Sequence, residues 1–215
     1  MGISVDEPPV GPAVATGRPA PALHEQFWNW PNTITVWRTA VVPVLLVLPL
    51  ATGESGSQVI AWCFIVAALT DILDGWLARR GQQVTHIGKL LDPLADKLLV
   101  STALVVLVAV DRIPMWAVWM VVVIVGRELA VTGLRGLASA SGQVMGASWL
   151  GKAKTLTQNI AIGALLFHYK TFGIPAHEFG MLFLSLATAL TLWSGYVYFR
   201  DYFSGRVEPA GGSAA

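Results

Sequence analysis

Six apolar stretches alternate with short polar joints along the chain, at residues 34–52, 58–78, 90–110, 114–136, 152–170 and 179–199. Each approaches the roughly 20 mostly apolar residues that a helix needs to cross a hydrocarbon core. Several carry polar residues near one end, which predicts that these ends line a shared cavity rather than face lipid. The pattern predicts an all-α integral membrane protein, with six transmembrane helices around a cytoplasm-facing polar cavity. This domain is expected to occupy residues 27–199. Residues 1–26, rich in Pro, Gly and Ala without a hydrophobic period, read as a disordered tail, and residues 200–215 as a second one. Phe27, Trp28 and Trp30, just ahead of the first span, suit an interfacial anchor.

Composition agrees with this pattern. Hydrophobic residues make up 54% of the 215 and charged residues only 13%, against about 25% charged in ordinary soluble domains. The mean hydropathy is +0.61. The N-terminal segment lacks the basic region followed by an apolar run of a secretory signal peptide, so no cleavage is predicted. The single cysteine, Cys63, excludes an intramolecular disulfide and a multi-cysteine metal site. A net charge of +1 gives no case for nucleic-acid binding.

The placement of charge is more informative than its sum. With six spans, twelve of the 14 Lys and Arg residues fall on one side, and only Arg112 and Lys170 on the other. By the positive-inside rule both termini then face the cytoplasm. Asp71, Asp74, Asp92 and Asp96 sit within or beside the spans, on the same side. A carboxylate at membrane depth is expensive and normally marks a functional site. Asp71 and Asp74 are spaced i, i+3 and Asp92 and Asp96 i, i+4, so each pair shares one helix face. A short polar segment between the pairs predicts a turn that brings them together. Four hard oxygen donors suit one or two divalent cations, Mg²⁺ or Mn²⁺, and two such ions would balance the formal charge of −4. The sequence alone leaves open a cation pathway, as in a cation-coupled transporter.

The pattern Asp71-x2-Asp74-Gly75-x2-Ala78-Arg79-x8-Gly88-x3-Asp92-x3-Asp96 resembles, at every fixed position, the signature of the CDP-alcohol phosphotransferases. These are integral membrane enzymes of phospholipid synthesis. The segment Pro31-Asn32-x2-Thr35-x2-Arg38 resembles the N-terminal motif of the same family, which helps to hold the cytidine nucleotide. The resemblance covers residues 29–199 and implies a CDP-linked lipid donor. Its cytidine would lie beside Asn32, Gly75, Arg79 and Thr85, with Thr35, Arg38, Ala78 and Gly88 completing the motif. It also implies that Asp71, Asp74 and Asp92 hold metal and that Asp96, which could coordinate as well, is the general base. A homodimer is implied too.

The second half carries a cationic set. Arg127 and Arg135 lie eight residues apart towards the end of the fourth span, and Lys152, Lys154 and Thr155 begin the fifth. Helix N-termini favour anions, and Arg forks match phosphate, so this rim suits a phosphate-bearing acceptor. Glu128 is expected to pair with one of the arginines. The surroundings of these residues resemble the bacterial phosphatidylglycerophosphate synthases within the family, which implies CDP-diacylglycerol as donor and sn-glycerol 3-phosphate as acceptor. A phosphatidylinositol phosphate synthase and a cardiolipin synthase of the same family are the nearest alternatives. The expected location is the bacterial cytoplasmic membrane, with membrane lipid as solvent and substrate.

Overall fold

The computed structural model describes residues 30–77, 86–141, 143–144, 149–171, 173–204 and 208–209. Six helices account for most of them: α1 (Trp30–Leu46), α2 (Glu54–Leu77), α3 (His86–Ala109), α4 (Val118–Ala140), α5 (Trp149–Phe167) and α6 (Ala176–Phe203). Every apolar stretch read from the sequence therefore coincides with one helix. The boundaries shift where local chemistry dictates. α1 begins with Pro31 in its first turn, where the missing proline N–H costs nothing. After Leu46 the chain tightens into a 3₁₀ turn, Leu48–Leu50. α3 runs unbroken through Pro93. Just beyond α3, Asp111 adopts a left-handed backbone (φ 57°), a conformation that Asp tolerates better than most residues. Pro114 is extended before the 3₁₀ turn Met115–Ala117 that leads into α4.

Two very short antiparallel pairs complete the described elements. β1 (Gln143–Val144) pairs with β4 (Glu208–Pro209), and β2 (Lys170–Thr171) with β3 (Ile174–Pro175). The turn in the second pair contains Gly173 at φ 79°, where a side chain would strain the backbone. The region expected as a C-terminal tail thus contributes the end of α6, to Phe203, and one strand of a pair.

The helices pack around a core that includes Leu45, Phe64, Leu99, Leu104, Ile124, Ile162 and Leu165, each at most 2% exposed. α5 and α6 make the most extensive pairing. Gly180 permits it, because a Cβ there would lie 2.7 Å from Leu165 Cγ. The outside is apolar as well: Trp37, Trp62, Trp119, Leu129 and Trp193 are all more than half exposed. Helices that are apolar all round suit a membrane rather than water. Met115–Ser139 and Ala176–Phe203 are long and apolar enough to cross one, and Val36–Leu50 and Glu54–Thr70 form shorter apolar stretches.

Many hydroxyls within these helices do not need a cavity. Thr70, Thr188 and Thr191 donate to the carbonyls of Val66, Leu184 and Ala187, at 2.6–2.8 Å. Such bonds to the i−4 carbonyl satisfy a hydroxyl inside its own helix. Only some of the polar positions noted in the sequence therefore mark the cavity.

The far ends of the bundle are tied by Arg112, which is 2% exposed. Its Nη1 donates to the carbonyls of Leu165 and Leu166 in the last turn of α5. Its Nη2 donates to Thr52 O at 3.3 Å and to Ser57 Oγ, joining the α1–α2 connection. Tyr169 adds an O–H bond to the same Thr52 carbonyl at 2.8 Å. One of the two far-side cations in the sequence is thus a buried structural group, not a surface charge.

Candidate active site

The opposite end of the bundle holds a pocket of about 520 Å³. Asp96 and Lys97 about three turns into α3, the first three turns of α5, the middle and C-terminal part of α4 and Tyr198 near the end of α6 enclose it. Asp96 from α3 lines it together with Arg127, Arg135, Lys152, Thr155 and Tyr198. Four of the five residues expected to hold the acceptor phosphate therefore share one cavity with the expected base. Arg127 and Arg135 stand two turns apart on α4, and Lys152 and Thr155 are i, i+3 on α5.

Lys154 is placed differently. It is 2% exposed, does not line the pocket, and pairs directly with Glu128 Oε1. Two residues along a helix turn it by about 200°, so Lys152 and Lys154 point to opposite sides of α5. Glu128 does meet an arginine, with Arg127 Nη1 3.5 Å from Oε1. It also meets Lys97, whose Nζ is 3.8 Å from Oε2. One carboxylate therefore gathers three cations from α3, α4 and α5.

Arg127 is held on several sides. Its Nη2 donates to Ser194 Oγ at 3.1 Å, and its guanidinium carbon lies 5.5 Å from the centroid of the Tyr198 ring. Gly195 leaves the room, since a Cβ there would come within 3.2 Å of Arg127 Cγ. Its Nε has no hydrogen-bond partner among the described residues. A guanidinium fixed in this way is preorganised for an anion in the pocket. Thr155 donates its hydroxyl hydrogen to Gly151 O at 3.1 Å, which leaves the oxygen's lone pairs available.

A second, apolar groove of about 350 Å³ runs between α2 and α5, past Phe64, Ala68, Gly163 and Phe167. It shares Leu156 and Asn159 with the polar pocket. A charged chamber and a hydrocarbon-lined one thus have a common wall.

The remaining expected site residues are located by backbone alone, or not at all. Asp71, Asp74 and Gly75 belong to the last two turns of α2, and Gly88 and Asp92 to the first two turns of α3, at the pocket end of the bundle. Asn32 and Thr35 belong to the first turns of α1. The side chains of these residues, and Ala78, Arg79 and Thr85 entirely, lie outside the described residues. Arg38 is buried, at 1% exposure. Among the described residues no three potential ligands converge on a metal position, and three of the four expected aspartates are not in that set. The donor set, all carboxylate oxygen, fits Mg²⁺ or Mn²⁺ by its hardness.

The sequence pattern did not single out Lys97, Asn159, Ser194 or Tyr198. Asn159 had a readable signal, because it continues the Lys152–Thr155 face by one turn. Tyr198 and Ser194 look like ordinary residues near the end of a long apolar helix, and only the fold brings them to Arg127.

Comparison with known proteins adds a decisive observation. Residues 28–193 match the sequence model of the CDP-alcohol phosphatidyltransferases. The chain belongs to that family. Among related CDP-alcohol phosphatidyltransferases, a Bacillus subtilis protein is 44% identical over 185 residues, covering 80% of this chain and 94% of its own. It is named CDP-diacylglycerol–glycerol-3-phosphate 3-phosphatidyltransferase. A Haemophilus influenzae protein of the same name is 33% identical over 173 residues, covering 80% and 91%. A Mycobacterium tuberculosis protein, named a probable phosphatidylglycerophosphate synthase, is 38% identical over 187 residues, covering 86% and 84%.

Proposed function

We propose that this CDP-alcohol phosphatidyltransferase transfers a phosphatidyl group from CDP-diacylglycerol to sn-glycerol 3-phosphate, giving phosphatidylglycerophosphate and CMP. The observation that carries this reading is the sharing of one pocket by Asp96 and the cations Arg127, Arg135 and Lys152. An acceptor with a hydroxyl at one end and a phosphate at the other needs a base and a cationic rim at such a separation. The names of the relatives in Bacillus subtilis and Haemophilus influenzae support the same pair of substrates.

Asp96 accepts the proton of the C1 hydroxyl as that oxygen attacks the lipid-side phosphorus of the donor. The new P–O bond forms as the bond to CMP breaks, and CMP leaves with its electron pair. Arg135 and Lys152 hold the acceptor phosphate, with Arg127 at the inner wall. Lys154 keeps Glu128 and the α4–α5 contact in place rather than touching substrate. Asp71, Asp74 and Asp92, with Asp96, would hold two divalent cations. Such ions, when bound, neutralise the carboxylates and polarise the pyrophosphate. The cytidine lies towards Asn32, Thr35, Arg38, Gly75, Ala78, Arg79, Thr85 and Gly88. One acyl chain lies in the apolar groove between α2 and α5 and enters laterally from the lipid.

All six helices span the bacterial cytoplasmic membrane in this reading, with the pocket and both termini on the cytoplasmic side. The shortest, α1, has 17 residues and reaches about 26 Å. The apolar exterior and the charge asymmetry support that topology. The test is product formation by purified protein with CDP-diacylglycerol and Mg²⁺ or Mn²⁺, each acceptor offered separately. Phosphatidylglycerophosphate only with glycerol 3-phosphate is the expected result. Product only with inositol phosphate would overturn the acceptor assignment, and no CMP with any acceptor would overturn the reaction.

A further inference from the structure

Asn159 stands where the polar pocket meets the apolar groove, and it lines both. It is the innermost polar group on its face of α5, seven residues beyond Lys152, a rise of about 10 Å. Past it, the same face continues as Gly163 and Phe167, in the groove. Its Oδ1 is shielded from solvent and has no hydrogen-bond partner among the described residues. Most buried amide oxygens accept at least one bond, and among the described residues no donor reaches this one. An acceptor left open at the inner end of a substrate pocket awaits a donor from the substrate.

Resting on the reaction proposed above, which places the cytidine's hydroxyls and amino group towards α1 and the end of α2, the acceptor is the substrate with such a donor to offer here. The diacylglycerol part of the lipid presents ester oxygens, which accept but cannot donate. Glycerol 3-phosphate presents two hydroxyls. With its phosphate at Arg135 and Lys152, its carbon chain points inward, and the C1 hydroxyl is committed to Asp96. The C2 hydroxyl remains, one carbon away, on the side of α5. We infer that Asn159 is a specificity-determining residue whose Oδ1 accepts a hydrogen bond from the C2 hydroxyl of the acceptor. A buried group built to bond a hydroxyl rejects an analogue without it, because the group is then left unpaired. The residue thus selects a vicinal diol phosphate over a simple hydroxyalkyl phosphate.

The experiment compares sn-glycerol 3-phosphate with 3-hydroxypropyl phosphate, which lacks only the C2 hydroxyl, in steady-state assays with CDP-diacylglycerol and Mg²⁺. The wild-type protein is expected to prefer glycerol 3-phosphate by about 100-fold in kcat/KM. Asn159→Leu should bring the two acceptors within about 5-fold by losing activity on glycerol 3-phosphate alone. Its kcat/KM on 3-hydroxypropyl phosphate should stay near the wild-type value, which also reports that the variant is folded. Asn159→Asp keeps an acceptor oxygen and should retain the preference for the diol. Wild-type discrimination in Asn159→Leu, equal losses on both acceptors, or no discrimination by the wild type would each overturn the inference. Absence of any product from wild-type protein with glycerol 3-phosphate would instead overturn the proposed reaction, and the role of Asn159 with it.

Discussion

Lys154 on α5 and Glu128 on α4 are ion-paired, with the lysine buried and the carboxylate only 19% exposed. Burying an ammonium is tolerable only when it is paired, and removing one partner strands the other. Glu128→Gln is therefore expected to destabilise the protein by about 3 kcal/mol, measured as a lower unfolding midpoint in detergent. Lys154→Met in the same chain should recover part of that loss, because it removes the stranded charge. A double-mutant cycle with no coupling between the two positions would contradict the pairing.

Arg135 lines the pocket, whereas Lys154 stands behind it. Arg135→Ala should raise the KM for glycerol 3-phosphate by about 10-fold or more and leave that for CDP-diacylglycerol nearly unchanged. Lys154→Met should instead lower thermal stability with a smaller effect on that KM. Equal effects of Arg135→Ala on both substrates would make the arginine structural.

The proposed base separates binding from turnover. Asp96→Asn should still bind CDP-diacylglycerol in a metal-dependent way while kcat falls by at least about 100-fold. Near-normal turnover would remove Asp96 from that role.

Chelation tests the carboxylate set as a whole. EDTA should abolish CMP release, and Mg²⁺ or Mn²⁺ should restore it. In Asp71→Asn the metal concentration needed for half-maximal activity should rise by about 10-fold or more. An unchanged metal dependence would argue against ligation by Asp71.

Arg112 should act on stability alone. Arg112→Leu removes the guanidinium bonds to the carbonyls of Leu165 and Leu166 and to Ser57 Oγ, while Thr52 O keeps its bond from Tyr169. Unmade bonds to buried groups predict a loss of about 3 kcal/mol. The KM values of the folded fraction should be unaltered, since the residue lies at the end away from the pocket.

The helices were legible because hydrophobic runs of this length have few alternatives, and each one coincides with a helix of the fold. The family signature was legible because it fixes residue types at set offsets within residues 71–96. Side-chain partnership was harder to read. Lys152 and Lys154 look equivalent as two cations at a helix start, and only the 3.6-residue period separates the pocket-facing one from the buried one. Glu128 was expected to serve an arginine, yet its nearest partner comes from another helix. Arg112 looked like a stray far-side charge because nothing local announces that two distant segments, the α1–α2 connection and the end of α5, converge on it. Ser194 and Tyr198 depend on how α6 crosses α4, which is a property of packing and not of their own neighbourhood.

The Arg112 tie also bears on how the molecule can move. One guanidinium fastens the α1–α2 connection and the end of α5 to the joint between α3 and α4. Segments pinned together there cannot separate without giving up several bonds at once. Both extremities are therefore cross-braced, the far one by a neutral set of carbonyls around one guanidinium and the pocket end by ion pairs around Glu128. Salt can weaken the second brace but hardly the first, because a guanidinium bonded to buried carbonyls is shielded from screening ions.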